Sequence, residues 1–336
     1  MRRVAILVAA LSALLVGCSG PAEAPVPTPT DPVTPVMTLS PTSSPRPTPS
    51  ASPPSTSPST TSPSATPPRQ PVRFDAGRVQ RDIAHLANAI GPREATSRNY
   101  VEAADWVERR LEGLGYQVRR STVNVPAGNS WGTPVRRGTS VNVIAERPGF
   151  DRRSRHVVVG AHLDTVPVAP GAEDNASGVA VMLELARLAA AQPPAVPVQF
   201  IAFAAEEPRG PGDALHHFGS RQLVADLPRV ERRAVAAMVS LDRVGVSAGY
   251  VPVCRGGDDG TRLRAAVRAV GRETGITTRA CENRTSDHWS YEKAGMPAIR
   301  IGSVPYPAYH SRRDVPSVVS RGQLDRVGRL IWAWLS

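Results

Sequence analysis

The chain has 336 residues, 34 of them proline, with 40 Lys and Arg against 29 Asp and Glu and a formal charge of +11. About half of the prolines lie before residue 74 among Ser, Thr and Ala, which excludes a single core built from the whole chain. The basic residues are almost all Arg, with Lys293 the one lysine, and they are scattered rather than striped, so no nucleic-acid partner is expected.

Residues 1–18 carry Arg2 and Arg3, then an apolar run from Val4 to Val16, and end Leu15-Val16-Gly17-Cys18. That is the pattern of a signal peptide, too short to span a membrane comfortably. Its ending resembles the lipobox of bacterial lipoproteins, in which the cysteine is lipidated. The resemblance implies a lipid anchor on Cys18, a membrane partner and an extracytoplasmic location, with secretion as the alternative. Residues 19–73 are Pro, Ser, Thr and Ala and cannot bury enough apolar surface to offset their ordering entropy. They read as an extended tether that reaches on the order of 150 Å at polyproline spacing. Residues 74–336 form one domain of a size that buries a full core. Removing the five positive and two negative charges of residues 1–73 leaves it at +8. With Cys18 lipidated, Cys254 and Cys281 remain, and an even pair in an exported domain suggests a disulfide.

Within the domain, 76–90 and 97–114 have helical apolar spacing, with Tyr100, Ala103, Ala104, Val107 and Leu111 on one face of the second. Segments 116–125 and 139–145 read as a strand pair with a long connection. Residues 155–161 are a short apolar, β-branched run that ends at His162 and Asp164. A loop with Glu173, Asp174 and Asn175 follows, then a helix to Ala191 for which Asn175 is a good N-cap. The run 197–205 is apolar throughout, as in a strand buried on both faces, and ends in Glu206 and Glu207. A helix is expected over 213–225, a strand over 233–241 ending at Asp242, and a helix over 261–273. A strand over 276–281, a short helix over 286–294, a strand over 297–302 and a closing helix over 318–334 complete the order. His310 lies in the loop after the last strand. Alternating strands and helices argue for an α/β sandwich with a mostly parallel sheet.

Acids and imidazoles at several strand ends would repel and shift one another unless a cation joined them. Histidine with carboxylate suits zinc, and cobalt or manganese would also fit. The blocks Gly160-Ala161-His162-Leu163-Asp164-Thr165, Asp174-Asn175-Ala176-Ser177-Gly178, Ala205-Glu206-Glu207, Leu241-Asp242 and Ser286-Asp287-His288 resemble the M28 family of zinc metallopeptidases, the group of bacterial secreted aminopeptidases. That resemblance implies a three-layer α/β sandwich of the zinc-dependent exopeptidase type around a central, mostly parallel mixed sheet. It also implies two zinc ions per chain and peptide substrates with a free N-terminus. Asp174 would bridge the ions, Glu207 and His310 would complete one site, and His162 and Asp242 the other. Glu206 would be the general base, Asp164 would hydrogen-bond the far nitrogen of His162, and Tyr309 would help to hold the oxyanion.

Ser286, Asp287 and His288 are adjacent in sequence, whereas catalytic triads assemble from distant positions, so they read as a helix start capped by Ser286. His216 and His217, in a lengthened loop from Pro208 to Phe218, read as surface residues near the pocket. Arg243 stands where the family usually has an apolar residue, often Met. Its guanidinium could engage a substrate carboxylate or pair with a neighbouring acid. This leaves a carboxypeptidase or another amidohydrolase of the same fold as the alternative activity, and a non-catalytic binding protein as a third. Glutaminyl cyclases share the fold, but a complete second site at His162 and Asp242 argues against that chemistry.

Overall fold

The computed structural model describes residues 72–336. The signal segment, Cys18 and nearly all of the tether expected above lie outside the described residues. One sheet of eight strands has the order β1 (Gln117–Val125), β4 (Gly138–Glu146), β6 (Val198–Phe203), β5 (His156–His162), β7 (Val235–Leu241), β10 (Ala298–Ile301), β8 (Val251–Arg255) and β9 (Thr278–Glu282). A separate hairpin, β2 (Gly128–Ser130) and β3 (Thr133–Val135), occupies the connection between β1 and β4. Strands β6, β5, β7 and β10 are mutually parallel, while β1, β4 and β8 enter antiparallel to their inner neighbours.

The all-apolar strands follow from burial on both faces. Side chains alternate across a strand, so Val157, Val159, Phe200 and Ala202 pack on one side and Val158, Ile201, Phe203 and Met238 on the other. The first side is covered by helices α1 (Ala76–Ala84), α2 (Arg98–Glu112) and α3 (Ser177–Ala191), with α6 (Thr261–Glu273) and α8 (Arg321–Leu335) beside them. The second is covered by α4 (Phe218–Asp226) and α7 (His288–Glu292), while α5 (Arg229–Ala234) leads into β7. This gives a mixed α/β fold with a large mixed sheet between helices. Gly160 in β5 is required by packing: a Cβ there would lie 2.3 Å from the Phe203 ring.

Three local expectations change. The helix expected over 213–225 is a short turn, Asp213–Leu215, and then α4, because Gly212 and His217 both take positive φ. The strand expected from Arg233 starts at Val235, after α5. Strand β8 was not expected at all, since Pro252 argues against a ladder position. Cys254 and Cys281 lie within β8 and β9 and sit directly opposite each other in the parallel pair, where a disulfide joins them. No helix among the described residues is long and apolar enough to cross a membrane.

The parallel strands all finish at one edge of the sheet. There β5 ends in His162, the segment after β6 carries Glu206 and Glu207, Asp242 follows β7, and the loop after β10 leads to His310. In an open α/β sheet this is the edge at which sites form.

Candidate metal centre

His162 donates from Nδ1 to the backbone carbonyl of Asp164, 3.1 Å away. That bond orients the ring and turns Nε2 towards the other acids of the cluster. Nε2 lies 3.2 Å from Asp174 Oδ1 and 3.7 Å from Asp242 Oδ1. The other oxygen of Asp174 lies 3.0 Å from His310 Nε2, which is also 3.4 Å from Glu207 Oε2. Asp174 therefore faces two imidazoles with two different oxygens. His162, Asp174 and Glu207 bring ligand atoms within 4.8 Å of one another, and so do His162, Glu206 and Asp242.

Backbone amides set these positions. Asp164 is fully buried, and its two oxygens accept the amides of Glu206 (3.0 Å) and Glu207 (3.1 Å). Its carboxylate stays 3.8 Å from His162 Nδ1, so the expected bond to the imidazole is made by its carbonyl instead. The change has a physical reason: two adjacent N–H groups at a strand end are the stronger claim on a buried carboxylate. Asp314 repeats the arrangement, accepting the amides of Glu173 (2.9 Å) and Asp174 (3.1 Å). Glu173 in turn accepts the amides of Gly245 and Val246, and Asn175 donates to the Leu241 carbonyl while accepting from Gly178 and Arg243. Helix α3 begins at Ser177 rather than at Asn175, but the Asn175 side chain still caps it through Gly178. Arg93, wholly buried, donates to the carbonyls of Leu86, Gly91, Leu163, Pro170 and Gly171 and so clamps the loop that carries Asp174. Replacing Asp164 by Asn keeps its shape but leaves one amide facing a donor. The variant is expected to lose about 1–3 kcal/mol in denaturant melts, together with part of its turnover.

The remaining neighbours define the rim. His310 has φ 52, and its ring is stacked at 3.6 Å by Tyr309 and met edge-on at 4.4 Å by Trp131 from the tip of the β2–β3 hairpin. Asp242 lies 3.0 Å from the buried Arg300. His217 is 2% exposed, not on the surface as expected, and its Nε2 lies 3.3 Å from Glu206 Oε1. Three backbone bonds, from His217, Phe218 and Gly219 to the carbonyls of Glu206, Ala205 and Ala204, fold the lengthened loop back along that segment. Ser286 does not cap α7; its hydroxyl pairs with Ser240 at 2.9 Å, beneath β7.

Burial pushes Glu206 up to about 8, helped by the Asp242, Asp164 and Asp174 carboxylates against the pull of His162. Burial likewise lifts Glu207 to about 7, with Asp174 adding to it and His310 opposing. Burial opposes a charge on His310, but Glu207 and Asp174 outweigh it and raise the imidazole to about 10. Asp174 is held well below the usual carboxylate range: burial raises it, and the two imidazoles more than reverse that. These shifts follow from acids and imidazoles crowded into one buried site. Glu207 Oε1 and Asp242 Oδ1 are buried and make no hydrogen bond. Ligands about 2.1 Å from a tetrahedral zinc ion lie roughly 3.4 Å apart, and the contacts here run from 3.0 to 3.7 Å. The donor set therefore fits zinc. Burial is outweighed by neighbouring carboxylates, which favour the protonated form of His162 and His310, the latter to about 10, and burial lifts Glu207 to about 7. Zinc must therefore displace protons, and its affinity is expected to fall progressively as the pH drops below about 10, with proton release measurable by calorimetry in different buffers.

An α/β sheet whose edge holds paired imidazoles and carboxylates defines the metallohydrolase class. The chain belongs to peptidase family M28, whose model matches residues 142–335. It is 32% identical over 209 residues to aminopeptidase YwaD of Bacillus subtilis, covering 58% of this chain and 44% of that protein. The chain thus spans less than half of that relative's length. Its fold is similar to the structure of BSAP, a zinc aminopeptidase from Bacillus subtilis, with a TM-score of 0.68 at 20% identity over 79% of this chain and 95% of that one. It is also similar to Porphyromonas gingivalis glutaminyl cyclase, with a TM-score of 0.66 at 25% identity over 78% and 98%.

Proposed function

We propose that this domain is a two-zinc aminopeptidase that removes the first residue of peptides with a free N-terminus. The observation that carries this reading is Asp174, turned to His162 with one oxygen and to His310 with the other. Asp174 would be shared between the ions, with Glu207 and His310 on one side and His162 and Asp242 on the other. Zinc, when bound, supplies Lewis acidity, which polarises the scissile carbonyl and lowers the pKa of water. Glu206 accepts the proton of the attacking water and returns it to the leaving amine. Its carboxylate is placed for the task, since its oxygen lies among the ligand atoms of His162 and Asp242. Tyr309, held against His310 by stacking, donates its hydroxyl to the carbonyl oxygen as charge develops there. The acidic groups of the site hold the substrate's ammonium group, which limits cleavage to the first residue. Asp164 and Asp314 touch no substrate and keep the loops in place.

The zinc-loaded protein is expected to release N-terminal residues from unblocked peptides and to stop when the amine is acetylated. Continued cleavage of acetylated peptides would point instead to a carboxypeptidase, the second reading, which Arg243 motivates. A glutaminyl cyclase is disfavoured because His162 and Asp242 supply a second set of ligands beside Asp174. We also place the protein outside the cytoplasmic membrane on a lipid carried by Cys18, on the strength of Arg2, Arg3, the apolar run and Leu15–Cys18. Incorporation of labelled palmitate that is lost in Cys18→Ala would support the anchor, and unlabelled wild type would exclude it.

A further inference from the structure

Arg243 follows Asp242 on the loop after β7 and stands at the rim of the metal centre with 13% of its side chain exposed. Its place is fixed by hydrogen bonds, while its charge faces the Asp174 and Asp242 carboxylates without a hydrogen bond to either. The backbone amide donates to Asn175 Oδ1 at 3.2 Å, the carbonyl accepts from the Ser303 amide at 3.0 Å, and Nη2 donates to Ser303 Oγ at 3.0 Å. The guanidinium lies 4.3 Å from the centroid of the Tyr309 ring. Its nearest approach to Asp242 is 3.8 Å, too long for a hydrogen bond. Asp242 already has Arg300 at 3.0 Å, so neutralising that acid does not explain Arg243. Stacking on an aromatic ring needs a cation but not a planar fork of donors. A fork with donors to spare, partly exposed at the rim of the metal centre, is the group that recognises carboxylates in pairs of parallel hydrogen bonds.

We propose that Arg243 and Ser303 form a carboxylate-binding subsite that gives the enzyme a preference for substrates carrying a negative charge within one residue of the scissile bond. This rests on the aminopeptidase reading and names its substrate class. The reach sets the limit: Arg243 is 3.8 Å from Asp242, which is 3.7 Å from His162. One residue advances the chain by about 3.8 Å. Two sources present a carboxylate at that range. One is an acidic side chain on the first residue. The other is the free C-terminus of a dipeptide, since a longer peptide has an amide there.

The test compares kcat/KM for the glutamyl and glutaminyl anilides, and for alanyl-alanine and its C-terminal amide, in zinc-loaded wild type, Arg243→Met and Arg243→Lys. Losing a charge-assisted pair is worth about tenfold or more. In Arg243→Met at least one charged-to-neutral ratio is expected to fall by that factor, with partial recovery in Arg243→Lys. The ratio that falls identifies the source. Zinc content and thermal midpoint, measured alongside, show that the variants are folded and loaded. Ratios equal to wild type, within about twofold, in both pairs would overturn the proposal. Calorimetric titration of the zinc-loaded Glu206→Gln protein with alanyl-alanine, its amide, glutamate and glutamine, with and without Arg243→Met, separates this from the parent reading. If no peptide is cleaved by wild type, the aminopeptidase reading fails. The subsite still stands if a carboxylate ligand loses about tenfold in affinity on Arg243→Met, and falls if none does.

Discussion

Glu206→Gln is expected to lower kcat by about a hundred- to ten-thousandfold while the protein still binds zinc and melts at or above the wild-type temperature. The substitution keeps the side chain's shape and removes its ability to take a proton. Stability should not suffer, because the Glu206 charge is opposed by burial and by the neighbouring carboxylates. The backbone amide that Asp164 accepts is untouched. Zinc content decides between two roles. Glu206 lies close enough to His162 and Asp242 to serve as a ligand, and a ligand's loss would empty a site. A silent enzyme with its full zinc makes Glu206 the base. A silent enzyme short of zinc makes it a ligand, and an active enzyme removes it from the mechanism. Glu207→Gln is the matched control: its carboxylate approaches His310 at 3.4 Å, so there the loss of zinc is the expected result.

Part of the frame of this site was legible in the sequence because several candidate ligands follow an apolar run, whereas Asp174 and His310 lie in loops. A buried strand that stops at an acid or an imidazole announces both its own end and the residue it delivers. His162, Glu206, Glu207 and Asp242 were found in that way. What holds them was not legible. Arg93, Glu173 and Asp314 look like solvated loop charges until their partners are known, and the partners are backbone amides and carbonyls that leave no mark in a sequence. His217 resembled a surface histidine because the three backbone bonds that turn it inwards depend on the path of the loop. Trp131 was invisible for a similar reason. Two strands of three residues carry too little pattern to reveal a hairpin, and its tip meets His310 across a long sequence separation. Strand β8 was hidden by Pro252, and its position opposite β9 explains the disulfide better than the cysteine count does.

Asp174→Asn should be the most damaging single change at the site, lowering bound zinc from about two ions per chain to one or fewer and turnover by at least about a thousandfold. The side chain offers one oxygen to each histidine half, at 3.2 and 3.0 Å. An amide retains one oxygen and replaces the other with a donor that cannot ligate. Whichever way it turns, one half of the proposed two-zinc site loses a ligand. The loss is electrostatic as well, since Asp174 is the carboxylate that both imidazoles hold ionised in the metal-free protein. Zinc binding stabilises the folded state by mass action, so the rise in thermal midpoint on adding zinc should shrink along with the stoichiometry. Comparison with His310→Ala separates a shared ligand from a private one. His310→Ala is expected to weaken one ion, whereas Asp174→Asn disturbs both. An Asp174→Asn protein that still takes up two zinc ions with wild-type affinity would show that no single carboxylate joins the two halves.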